Sequence, residues 1–233
     1  LSKTIMQIEI IGTSHIAKQS IQDIKNRIKN NPPDIIALEL DSQRATALLT
    51  EQKRKVSLAD ILKIGVKGYL FAKLGQYFQQ KLGKMVGISP GTEMLTALNL
   101  GKKHKLKIAL IDQPIQITLK KFSKTLTWKE RFNFFSDLIQ GLLFKKSQIK
   151  KMGLENFDLS KVPEEQLIEK LIQQLKDRYP NVYKALLSDR NKYMVKKLTK
   201  LQKDHPDQKI LVIVGAGHKK GMISLLHKID IVN

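Results

Sequence analysis

The chain has 233 residues, enough for one well-buried core. Its 42 Lys+Arg against 21 Asp+Glu leave a net charge of +21, which attracts nucleic acid, an anionic membrane surface or an acidic ligand without choosing among them. There is no cysteine, which excludes disulfides, a thiol nucleophile and thiolate metal ligands, so any metal site must draw on His, Asp and Glu.

In chain order, residues 5–11 alternate and carry Ile at four positions, which predicts a strand leaving through Gly12-Thr13-Ser14-His15. Ile21, Ile24 and Ile28 fall at helical spacing among polar residues, and Asn30-Asn31-Pro32-Pro33 stops that helix. Ile35 to Asp41 reads as a second strand. Strand, helix and strand in succession form a βαβ unit with parallel strands. Residues 42–88 carry an apolar stripe (Leu48, Leu58, Leu62, Leu70) and a lysine face, either a core helix pair or a lid or membrane-docking hairpin. Ser89-Pro90-Gly91 breaks the chain, and Thr92 is placed to cap a helix from Glu93 to about His104.

Lys107 to Asp112 is a third strand. Residues 115–205 show helical patterns only, broken near Gly153, Pro163 and Pro180, and 115–185 reads as a large helical insertion in a single α/β domain. A helix from about Asp189 to Lys203 leads into the fourth strand, Ile210 to Val214, which ends in Gly215-Ala216-Gly217-His218. A short final helix is expected after Gly221. The expected architecture is a mostly parallel sheet of about four core strands joined by βαβ units. No stretch approaches the roughly 18 uncharged apolar residues of a membrane span, and the first residues lack the pattern of a signal peptide. The start at Leu1 and the stop at Asn233 inside an apolar run lead us to expect a piece of a longer chain.

With four parallel strands, His15, Glu39, Asp112 and His218 all fall at the carboxyl edge of the sheet, where open α/β sheets bind ligands. Glu93 and Arg190 open helices that lead into strands three and four. Each has an ordinary alternative. Glu39 can be a buried strand-end acid, Glu93 a first-turn helix acid, Asp112 a turn former before Pro114, Arg190 a surface charge, and either histidine a loop residue. What argues for a site is that the first and last strands end alike, in Gly-x-x-His. Gly215 to Gly221 is one residue off the dinucleotide fingerprint and lacks its acidic partner, and no His-Glu-x-x-His occurs.

Six blocks carry a family resemblance: Gly12-Thr13-Ser14-His15, Pro33-Asp34 through Leu38-Glu39-Leu40-Asp41 with Arg44, Gly91-Thr92-Glu93-Met94, Ala109 to Asp112 with Ile115 and Thr118-Leu119, Arg190-Asn191-Lys192-Tyr193-Met194, and Gly215 to His218 with Gly221. In that order they resemble the TraB / pheromone-shutdown (PrgY) family, distantly similar to the TIKI proteases. The family's usual Asp-Arg-Asp after the third strand is here Asp112-Gln113-Pro114, without the arginine and the second acid. The resemblance implies an erythromycin-esterase-like α/β fold and a metal-dependent peptidase activity linked to the two Gly-x-x-His segments. It also implies C-terminal membrane helices beyond this piece and a basic surface lying against anionic lipid.

On that basis His15, Glu93 and His218 are expected to hold a divalent ion, with Mn, Co and Zn all compatible with thiol-free ligands. Glu39 is the expected general base, with its role and that of Glu93 exchangeable, and Arg190 the expected holder of substrate charge. Arg44, Asp112 and Asn191 are expected to contact substrate. The rival reading is a non-catalytic protein that captures a peptide or small ligand, as pheromone shutdown by sequestration requires. Nucleic-acid binding is disfavoured, because the basic residues are dispersed and no aromatic-rich RNA motif accompanies them. A membrane-associated domain, leaning to the cytoplasmic side by its charge, is expected, and a homo-oligomer stays open.

Overall fold

Two of the four strands are continuous apolar runs, and they lie at the centre of the sheet. In the computed structural model, which describes residues 7–13, 18–50, 91–143 and 165–232 with Gly65, Tyr69 and Lys73, the strands are β1 (Ile8–Thr13), β2 (Ile35–Leu38), β3 (Lys107–Leu110) and β4 (Ile210–Gly215). They form one sheet in the order β1-β4-β2-β3, and every pairing is parallel. β2 and β4 are buried at every position, as strands covered on both faces must be. β1 and β2 are parallel as the βαβ reading requires, but β4 lies between them.

Helices cover both faces. α1 (Lys18–Asn30), α2 (Ser42–Thr50) and α3 (Thr92–Lys103) enclose one core with Ile36, Leu38, Leu211 and Ile213. On the other face, Ile35, Ala37, Ile210, Val212 and Val214 meet the two helices that flank β4. These are α8 (Asp189–Asp204) and α9 (Ala216–Val232). Between β3 and α8 run α4 (Ile115–Thr125), α5 (Trp128–Leu143), α6 (Glu165–Arg178) and the single turn α7 (Pro180–Tyr183). Phe122, Val182 and Ala185 form a small core of their own there. Among the described residues no helix is long and apolar enough to cross a membrane.

Three local expectations change. The last helix begins at Ala216, directly after β4, so Ala216-Gly217-His218 is its first turn and not a loop, and the apolar run Ile229 to Val232 belongs to it. The helix bearing Arg190 starts at Asp189 as expected, but it is not separate from what precedes it: Pro180 opens α7, and a π turn over Lys184–Ser188 joins α7 to α8. α3 has Gly91, not Thr92, at its N-cap, with φ 87°. A left-handed φ suits Gly91, while Thr92 is already helical. Most of the expected stripe in 42–88 lies outside the described residues, and so do Gly153 and Pro163.

Candidate functional site

The parallel sheet brings Glu39, Asp112 and the start of α9 to one edge. A helix that feeds a strand and packs back on the sheet runs antiparallel to it, so its first turn also lies at the carboxyl edge. That places Arg190 there from α8 and Glu93 from α3. The two helices lie on opposite faces, so Arg190 and His218 approach from one side and Glu93 from the other. Glu93 is buried in the first turn of α3 beside Met94.

Arg190 is the centre of the cluster. A guanidinium has five N–H donors, and each has an acceptor here. Nε donates to Asp112 Oδ1 at 3.0 Å and one Nη2 hydrogen to Asp112 Oδ2 at 2.7 Å, a bidentate grip. The other Nη2 hydrogen goes to Glu39 Oε1. Nη1 donates to the Leu186 carbonyl at 3.1 Å and faces His218 Nε2 at 3.0 Å. Leu186 belongs to the π turn, a feature often found at functional sites. Burial alone would push Arg190 down, but the Glu39 charge and the Asp112 hydrogen bonds outweigh it and hold the guanidinium above its ordinary range. Expected to grip substrate, Arg190 has its donors committed inside the protein.

The carboxylates are tied as firmly. Glu39 Oε2 accepts the Gly215 N–H at 2.6 Å, which sets a negative charge at the N-terminus of α9. Asp112 Oδ1 also accepts the Gln113 N–H at 2.8 Å, and Oδ2 accepts Arg44 Nη1 at 3.0 Å. Arg44 therefore reaches the cluster through Asp112. Gln113, where the family carries arginine, is buried and donates to Thr118 Oγ1 at 2.6 Å. Asp41 is a partner that the sequence reading did not assign to the site. Its Oδ1 caps α2 through the Gln43 and Arg44 N–H groups at 2.8 and 2.9 Å, and its Oδ2 accepts the Ile115 N–H at 3.2 Å. An Asp standing one residue before a helical run was the available signal.

His218 is buried and oriented. Its Nδ1 lies 2.6 Å from Asn191 Oδ1, an acceptor, so Nδ1 carries a proton and Nε2 faces the cluster. In neutral His218, Nε2 accepts from Arg190; once protonated, Nε2 has Glu39 Oε1 at 3.3 Å as its partner. Asn191, expected to touch substrate, holds this ring. Gly221, one turn beyond His218, makes the contact possible, because a Cβ there would stand 2.3 Å from Asn191 Nδ2.

His15 lies outside the described residues. Its strand nevertheless arrives beside that of His218. β1 pairs with β4, Gly12 opposite Val214 and Thr13 opposite Gly215. A Cβ on Gly12 would sit 3.1 Å from Ala216 Cα. Gly12, Asn191, Ala216 and Gly217 all line one cavity of about 730 Å³ whose other wall is α6.

The expected divalent ion can be tested on this donor set. His218 Nε2 and Glu39 Oε1 are 3.3 Å apart, about the spacing of two ligands on one tetrahedral ion. Arg190 already sits against both, supplying the cation, and among the described residues no three His, Asp or Glu side chains are grouped to hold a metal. The described residues alone do not fit a metal centre.

The family model for the TraB/PrgY/gumN family matches residues 2–231. An uncharacterised protein of Methanocaldococcus jannaschii is 34% identical over 228 residues, covering 96% of this chain and 54% of that protein. TraB domain-containing proteins of mouse and human are 24% and 23% identical over 199 residues, covering 81% of this chain and 50% of theirs. The chain spans about half the length of the curated relatives it matches. With the model matched almost from end to end, the chain belongs to the TraB/PrgY/gumN family.

Proposed function

We propose that this chain is a hydrolase acting on a peptide at the seam between β1 and β4. The observation that carries the reading is His218: a buried imidazole held through Nδ1 by Asn191, with Nε2 directed at a carboxylate and a saturated arginine. Once the Arg190 Nη1 hydrogen that occupies it is drawn aside, such an Nε2 can take a proton from water. The hydroxide adds to the peptide carbonyl carbon, the C–N bond breaks, and the proton passes to the leaving amine. Glu39 Oε1 stabilises the imidazolium in between. Arg190 acts as a positioning residue that keeps Glu39, Asp112 and His218 in register. The cavity lined by Gly12, Asn191 and Gly217 is the place for the peptide, and Asn191, which also holds His218, is the side chain that links it to the cluster.

The described donors do not assemble a metal centre. A Mn, Co or Zn ion that binds His218 Nε2 must first displace Arg190 from it. Metal content of protein purified without chelator, beside a His15→Ala, His218→Ala double variant, measures this directly.

Incubating a peptide panel with the protein and weighing it afterwards tests the reading. New fragments formed by the wild type and lost in His218→Ala are expected. The rival reading, capture without chemistry, is favoured by one observation: the N–H groups of Arg190 are all spent inside the protein, leaving none of them for an oxyanion. Saturable binding with unchanged masses establishes capture and overturns hydrolysis.

A further inference from the structure

The outer side of α8 and α9 carries a second cavity, of about 630 Å³, that the Arg190 cluster does not use. Lys192, Lys196 and Lys200 follow at four-residue spacing along α8 and place their ammonium groups on one stripe, with Lys203 continuing it and Lys228 facing it from α9. All five are exposed. Among the described residues none of the five forms a hydrogen bond or an ion pair, whereas Lys197 on the same helix donates to the Leu110 carbonyl at 3.1 Å and lies over the Tyr193 ring. Lysines three and four apart repel, so the stripe works against its own helix until something anionic covers it.

We propose that this groove docks on the acidic headgroups of a lipid bilayer. With five lysines against the carboxylate of Asp204 in its lining, charge complementarity calls for an anionic occupant, and the chain itself is a poor source of one, with 21 acidic against 42 basic residues. The floor then narrows the class. It is made by the buried Val195 and the half-buried Leu225 and Ile229, an apolar strip that suits glycerol and the first acyl carbons. Lysine stems lie along such a strip while their ammonium groups reach headgroup phosphates. Among the described residues no aromatic side chain lines the groove for base stacking, and its cations are lysines without the planar fork that arginine brings to nucleic acid.

Vesicle flotation tests it. Wild-type protein is expected to float with phosphatidylcholine vesicles doped with phosphatidylglycerol, not with phosphatidylcholine alone, and to be released by added salt. Replacing all five groove lysines by Gln is expected to weaken partitioning at least about a hundredfold, at about fivefold per lysine. Five Lys→Gln changes on the other face (Lys18, Lys25, Lys29, Lys102, Lys103) remove the same charge and are expected to cost less than about tenfold. Lys→Arg at the five groove positions is expected to keep binding, which separates lost charge from lost fold. Inorganic phosphate is expected not to compete, since the headgroup acts as part of a surface. Equal losses from the two Gln sets, tighter binding of duplex DNA or poly-glutamate than of the acidic vesicles, or no flotation at all each overturns the proposal.

Discussion

Two buried ionic knots hold this molecule, and they are built on opposite principles. Around Arg190, charge meets charge: one guanidinium spends its five hydrogens on two carboxylates, a carbonyl and an imidazole. Around Glu130, a carboxylate is held by neutral donors. Glu130 Oε2 accepts the Thr127 N–H and hydroxyl, each at 2.9 Å, and Asn181 Nδ2 at 3.0 Å, while Oε1 accepts the Asn181 N–H at 2.8 Å. That knot is a capping box on α5 that also closes the start of α7. It has one task, to fasten two helices. The Arg190 knot joins β2, β3, α8 and α9 and turns an imidazole nitrogen towards a carboxylate. Satisfaction by neutral donors suits a fastening; opposed charges around an imidazole suit a place where chemistry can occur.

The largest effect expected is from removing the centre. Arg190→Met takes from the buried Glu39 and Asp112 the guanidinium they share, leaving Arg44 on Asp112, and breaking a buried pair in this way costs about 3–5 kcal/mol. Arg190→Lys restores the charge but not the fork, since an ammonium has three donors where five are used. It is expected to recover less than half of the loss. Urea unfolding measures both. A loss below about 1 kcal/mol in Arg190→Met is the size of a surface ion pair and removes the contrast between the knots.

Next comes the contact that sets His218. Gly221→Ala puts a methyl 2.3 Å from Asn191 Nδ2, and overpacking of this kind costs about 1–3 kcal/mol. Asn191 must withdraw, and His218 Nδ1 loses its acceptor. The imidazole nitrogen shifts in an NMR spectrum are expected to report a mixed tautomer. In an Asn191→Ala background the added methyl has room, so the same change there is expected to be near neutral. A double-mutant cycle separates this coupling from a plain helix effect, and additive losses sink the account.

How far the sequence carries the reader depends on what each residue answers to. The strands were legible because β2 and β4 are covered on both faces and have no choice but apolar runs. The carboxyl edge followed from their parallel order, and with it the neighbourhood of Glu39, Asp112, Arg190 and His218. The partnerships inside it were not legible. That Arg190 is saturated depends on Leu186, whose carbonyl is presented by a π turn with no signature in Lys184–Ser188. That Asn191 holds His218 depends on α8 and α9 coming close at Gly221, a contact between residues thirty positions apart in the chain. Glycines read as a turn at 215–217 belong to a strand end and a helix start, because glycine marks permissive backbone and not its direction. Thr127-x-x-Glu130, by contrast, has the spacing of a capping box, a local signal that was passed over in the sequence.

The smallest expected effect falls on the neutral-donor knot, and its pH dependence shows what kind of knot it is. Burial would raise the Glu130 carboxyl, but the N–H groups of Thr127 and Asn181, with both their side chains, outweigh it and hold it below its ordinary range. A group depressed in the folded state binds fewer protons folded than unfolded, so its contribution is complete above the unfolded value of about 4.3 and is lost as pH falls through the folded one. Glu130→Gln keeps the shape but offers one acceptor oxygen for two, and losing a cap of this kind costs about 1–2 kcal/mol at neutral pH. Thermal melts of wild type and variant are therefore expected to stand apart at pH 7 and to converge in acid, where the wild type also carries a neutral side chain. Curves that run parallel down to acid would mean that Glu130 acts through its shape alone. The contrast between the two knots would then lie in packing, and charge would be a feature of the Arg190 edge only.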